Sequence, residues 1–110
     1  MMTIQRVASV IGLRPEKEEE YRSLHSAVWP GVLQTLSDNG ITNYSIFLSG
    51  GVLFSYFEFV GSDYDRAMAN IADDPVTKHW WTFTDPCQTP VASAKPGEWW
   101  SALDEVFHLD

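Results

Sequence analysis

Ser49-Gly50-Gly51 stands between two runs of alternating side chains, and no other feature of the chain restricts its fold as strongly. In the run 43–48, Tyr44, Ile46 and Leu48 fall on one face and Asn43, Ser45 and Phe47 on the other, the period of a strand. The run 52–59 returns with Leu53, Phe54, Tyr56, Phe57 and Phe59. Two adjacent glycines accept positive φ without a Cβ penalty, which a two-residue hairpin turn requires. The returning strand is apolar on both faces. A sheet of this kind is covered by helices on one side and by something else, such as a second subunit, on the other.

The flanks repeat one pattern on each side of this hairpin. Residues 4–11 read as a strand closed by Gly12. Residues 16–25 contain no Gly or Pro and read as a helix, with Pro15 in its first turn. Glu16, Glu18, Glu19 and Glu20 sit at the positive end of the helix dipole, and Glu18 can pair with Arg22. Tyr21 and His25 lie four apart on one helical face, and Trp29 extends that stripe if the helix persists to Pro30. A second short helix is expected over 31–36, with Val32, Leu33 and Leu36 inward, stopped by Asp38-Asn39-Gly40. After the hairpin, Ser62-Asp63 caps a helix over 65–71, and Asp73-Asp74-Pro75 starts another over 76–83. Residues 85–97, with three prolines, read as a loop, and 102–109 as a last strand. The order strand, helix, strand, strand, helix, strand gives an α+β fold. It is the ferredoxin-like βαββαβ arrangement, a four-stranded antiparallel sheet with helices on one face, in a single domain over 1–110. Two such sheets packed face to face make a homodimer of the dimeric α+β barrel type, with a cavity between sheet and helices or partner.

Charge and composition exclude several classes. A formal net charge of −8 lacks the basic footprint that nucleic acid needs, and disfavours an anionic membrane surface. No apolar run approaches membrane-spanning length and no leader pattern opens the chain, so a cytoplasmic protein is expected. Cys87 is the single cysteine, which suits a reducing compartment. Lying among prolines in the loop, it is expected to be exposed. Five tryptophans include the adjacent pairs Trp80-Trp81 and Trp99-Trp100. Adjacent residues cannot both face one core, so one of each pair meets a cavity, a loop or a partner.

The packing just outlined can bring Tyr21, His25, Tyr44, Trp80 and Trp81 to one pocket. An imidazole with an ordinary pKa of about 6.5 exchanges protons at neutral pH. Phenols can orient a polyol, and an indole face can lie against the C–H face of a pyranose. The residues alone leave His25 open between an acid/base group and a satisfied structural histidine, and Tyr44 open between ligand contact and core. His79 and His108 have no ligand-spaced partners for zinc, and no phosphate loop or dinucleotide fingerprint is present.

The blocks E-E-Y-R-S-L-H-S-A-V-W-P at 19–30, N-Y-S-I-F-L at 43–48, H-W-W at 79–81 and E-V-F-H-L at 105–109 closely resemble the L-rhamnose mutarotases. The resemblance spans about residues 4–109. It implies a dimer of ferredoxin-like subunits that interconverts the α and β anomers of a monosaccharide without metal or cofactor. It also implies His25 as proton donor, with Tyr21, Tyr44, Trp80 and Trp81 binding the sugar. On this reading protonated His25 delivers a proton to the ring oxygen, and Asp85, Glu105 or a water takes the anomeric proton. The sugar stays open between rhamnose, fucose and other deoxy or pentose sugars. Two rivals share the fold: a non-catalytic sugar or metabolite binder, and a cofactor-free monooxygenase.

Overall fold

The hairpin forms as its glycines require. In the computed structural model, which describes residues 3–110, Gly50 and Gly51 take φ of 56° and 76° between β2 (Ile41–Ser49) and β3 (Val52–Gly61). β1 (Thr3–Leu13) pairs antiparallel with β3, placing Ile11 opposite Leu53 and Val7 opposite Phe57. The other edge of β1 carries two short pieces, β4 (Gln88–Thr89) beside Gly12 and Leu13, and β5 (Ser101–Ala102) beside Ser9 and Val10. Gly12 admits β4 because a Cβ there would lie 2.8 Å from the Thr89 carbonyl oxygen. The strand order β2-β3-β1-β4 is that of the ferredoxin-like fold expected from the sequence.

The helices occupy one sheet face. α1 (Glu18–His25) and α2 (Pro30–Asp38) precede the hairpin; α3 (Tyr64–Asp73) and α4 (Pro75–Thr84) follow it. Asp63 caps α3 by accepting the Arg66 N–H at 3.0 Å, and Asp74 caps α4 by accepting the Thr77 N–H at 2.8 Å. Ile11, Leu13, Tyr21, Leu53 and Cys87 form one buried cluster; Ile41, Phe59, Ala67 and Ile71 form another. Among the described residues no helix is long and apolar enough to cross a membrane.

Four local expectations need correction. The last strand does not run over 102–109: pairing ends at Ala102, with one further bond from the Leu103 N–H to the Ala8 carbonyl. Beyond it Val106, Phe107 and Leu109 are exposed, since nothing among the described residues covers them. Trp29 is not on α1, which ends at His25. Its ψ of 135° is the extended geometry that Pro30 imposes on the residue before it. Leu33 is 52% exposed rather than inward, because α2 turns Val32 to the core instead. Cys87 is fully buried, not exposed: a short 3₁₀ turn over Asp85–Cys87 folds its side chain under α1.

Candidate active site

The short helix α1 presents its aromatic stripe to a cavity of about 320 Å³ against the sheet. Tyr21 and His25 line it from the helix, and Leu13, Ile46, Leu48 and Leu53 from the strands. The wall is apolar, as the inward alternation of β1, β2 and β3 dictates. Arg22 and Ser26 complete the helical side.

His25 is held on three sides. Its Nδ1 lies 2.9 Å from the Tyr21 carbonyl oxygen. A carbonyl only accepts, so Nδ1 carries the hydrogen and Nε2 is the nitrogen left with a lone pair in the neutral ring. The Tyr21 ring stacks on the imidazole at 4.1 Å between centroids, and Trp80 meets it edge-on at 5.4 Å. Trp80 is itself buried and packed by Trp29 at 5.1 Å, which also lies against His79. Burial lowers the pKa of His25 from its ordinary 6.5, opposed in part by the bond to the Tyr21 carbonyl. The resting ring at neutral pH is therefore the uncharged imidazole.

The phenols are pushed the other way. Burial raises the pKa of Tyr21, although the hydrogen bond from Gln88 pulls it down in part. Tyr44 is also raised by burial, tempered by Ser55. Tyr44 nevertheless leaves 43% of its surface open. A bulge aims it. The β2–β3 register slips between Thr42 and Ser45, and Asn43 takes a φ of 49°. Asn43 then donates to Glu58 on the outer face, while Tyr44 turns inward against Phe57 at 5.4 Å. Both hydroxyls stay protonated at neutral pH and so keep a proton to donate.

The expected five residues are thus only partly gathered. Tyr21 and His25 line the cavity, Trp80 supports the imidazole from behind, and Tyr44 sits on the same sheet face as Ile46 and Leu48. Trp81, one residue on from Trp80, points about 100° away around α4 and is 38% exposed. Glu105 is not at the cavity: its carboxylate receives Arg6 at 2.6 Å. Cys87 is no nucleophile either, since burial pushes its thiol up to about 11 and its Sγ donates to Glu20 at 3.3 Å. Two residues that sequence reasoning did not assign reach the site: buried Gln88 donates to the Tyr21 hydroxyl at 3.3 Å, and Trp99 donates to Gln88 at 2.9 Å. Their part depends on where β4 and the loop after it lie, and no local pattern announces that.

Comparison with known proteins gives four findings. The family profile described as L-rhamnose mutarotase matches residues 6–109. An L-rhamnose mutarotase of Listeria monocytogenes serotype 4b (strain F2365) is 36% identical over 111 residues, covering 96% of this chain and 99% of that protein. Among solved structures, an L-rhamnose mutarotase from Formosa agariphila superposes with a TM-score of 0.76 at 26% identity, over 96% of this chain and 99% of that one. The tetracenomycin F2 cyclase of Streptomyces glaucescens superposes with a TM-score of 0.70 at 13% identity, over 96% and 97% of the two chains, a likeness of fold alone.

Proposed function

The chain belongs to the L-rhamnose mutarotase family, whose isomerases interconvert the α and β anomers of L-rhamnose, and we propose that the Tyr21–His25 face of α1 carries this reaction here. Mutarotation needs a proton taken from the anomeric hydroxyl and one given to the ring oxygen. The aldehyde then rotates and the ring recloses. Both oxygens are bonded to the anomeric carbon, so one imidazole nitrogen can serve them in turn. Neutral His25 takes the anomeric proton on Nε2, and the imidazolium so formed delivers it to the ring oxygen. The expected role of His25 as donor is kept, but as the second half of the exchange. The observation that carries this reading is the bond from Nδ1 to the Tyr21 carbonyl, which fixes the tautomer with Nε2 as the basic nitrogen.

Tyr21 and Tyr44, held protonated by burial, donate to sugar oxygens. The apolar wall takes the C–H faces and the methyl group. Trp80 keeps the imidazole upright behind them, while Trp81, turned away around α4, stands outside this contact. The reading includes a cytoplasmic location and a homodimer, the dimer supported by the outer sheet face. There Ile4, Phe54 and Val60 are exposed, and the apolar tail residues Val106 and Phe107 are exposed as well. Sedimentation at micromolar concentration is expected to give the mass of two chains; a single-chain mass would remove the dimer.

Anomer exchange on L-rhamnose, followed by saturation-difference NMR with L-fucose and a D-hexose beside it, tests the function. Wild-type protein is expected to accelerate exchange of L-rhamnose most. His25→Ala is expected to lose about 10²–10⁴-fold in rate while remaining folded. Saturable binding of sugar with no faster exchange would replace the enzyme by the binder, and full activity in His25→Ala would remove His25 from the reaction.

A further inference from the structure

We infer that Gln88, clamped by the Trp99 indole, is a positioning residue that sets which way the Tyr21 hydroxyl donates, and so makes Tyr21 a hydrogen-bond donor to the sugar. The inference rests on the substrate reading above and deepens it.

The geometry fixes the amide without ambiguity. An indole N–H can only donate, so the Gln88 atom 2.9 Å from Trp99 Nε1 is the carbonyl oxygen Oε1. That places Nε2, which can only donate, 3.3 Å from the Tyr21 hydroxyl. The Tyr21 oxygen is then the acceptor of that bond, and its own proton is left to turn toward an oxygen in the cavity. Without the indole the amide could flip, present Oε1 to Tyr21 and draw the phenolic proton away from the sugar.

Each part of this relay is built in. Gln88 is 4% exposed and lies in β4, where it pairs with Leu13 of the cavity wall. The Cys87 carbonyl beside it accepts the Arg14 N–H at 2.9 Å. Trp99 comes from the loop after β4, whose shape is held by Glu98. The Glu98 carboxylate accepts the Lys95 N–H at 2.8 Å and the Ala102 N–H at 3.3 Å, locking the indole to the last paired residues of the sheet. At the other end Tyr21 stacks on His25 at 4.1 Å, so the hydroxyl direction is set beside the reacting imidazole.

Gln88→Glu keeps the size and the acceptor for Trp99 but replaces the Nε2 donor with an acceptor. Tyr21 must then donate to the new carboxylate instead of to the sugar. The expected loss in kcat/KM is about tenfold near pH 8, the order of one hydrogen bond to a charged group. The ratio of variant to wild-type rate is expected to climb back toward one as pH falls and the carboxyl gains its proton. The new carboxylate also acts on the His25 imidazole, and the same ratio measured in the Tyr21→Phe background isolates the part that is due to the phenol. In a Tyr21→Phe background the same substitution is expected to cost nothing further, since there is no hydroxyl left to misdirect. Trp99→Phe, at a more exposed position, is expected to give a smaller loss that also vanishes in Tyr21→Phe. Wild-type turnover of L-rhamnose tests the substrate reading by itself. With that turnover present, losses that multiply with Tyr21→Phe, or a variant-to-wild-type ratio flat with pH, would overturn the positioning role and leave Gln88 a packing residue.

Discussion

Two cavities of nearly the same volume, about 320 Å³ each, flank the helices, and only one is suited to chemistry. The first lies between the ends of α2 and α3 and is lined by Thr35, Asp38, Asn39, Asn70, Asp73 and Asp74. Its polar groups are largely spent on structure. Asp74 caps α4, Asn70 donates to Asn39 at 3.2 Å, and Gln34 donates to Asp38 at 2.7 Å. The second cavity has an apolar wall, one imidazole with its tautomer fixed, and one phenol, Tyr21, that burial keeps protonated. Volume does not distinguish them. What distinguishes them is whether the polar groups are already satisfied by the fold or are held, oriented and desolvated, for something that is not part of it.

The comparison can be broken most sharply at His25, where the loss of about 10²–10⁴-fold given above for His25→Ala amounts to roughly 3–5 kcal/mol of barrier. Next comes Trp80→Ala, which removes the buried indole between His25 and Trp29. It is expected to cost about 3–5 kcal/mol of stability in denaturant titration, and to slow exchange because the imidazole loses its support. A stable, fully active Trp80→Ala would show that the indole is filler. The smallest effect belongs to the other cavity. Asp74→Ala removes the cap of α4, and about 1 kcal/mol of stability is expected to go with it, while the exchange rate of the folded protein stays unchanged. A loss of rate there without a loss of stability would make the acidic cavity part of the site.

The sequence made the sheet legible because its signals are local and redundant. Gly50-Gly51 fixes the hairpin, Asp63 and Asp74 announce two helix starts, and Pro15, Pro30 and Pro75 each open a helical turn. The pair Tyr21 and His25 was legible from helical spacing, which survives any rearrangement of neighbours. Two failures share one cause. The tail beyond Ala102 has an apolar pattern, but Val106, Phe107 and Leu109 stay exposed. Leu33 matched the apolar stripe of α2, yet the packing angle of that short helix turned it outward. Trp81 and Tyr44 fall between. Their side-chain types suit a sugar, but only the bulge at Asn43 and the rotation of α4 decide where each points, and neither is written in residue spacing. Gln88 was invisible for the same reason: its role exists only once β4 is docked against Leu13.

The most direct test of the central claim, that His25 works from its neutral form, is the pH dependence of wild-type anomer exchange on L-rhamnose. Burial holds the pKa of His25 below 6.5, so acidification through that lowered value protonates Nε2 and removes the base. The rate, corrected for the uncatalysed reaction, is expected to rise with pH to a plateau reached by neutrality, with its midpoint below 6.5. A rate that is highest in acid and falls as pH rises through the same range would mean that the resting enzyme carries an imidazolium, and would contradict the account.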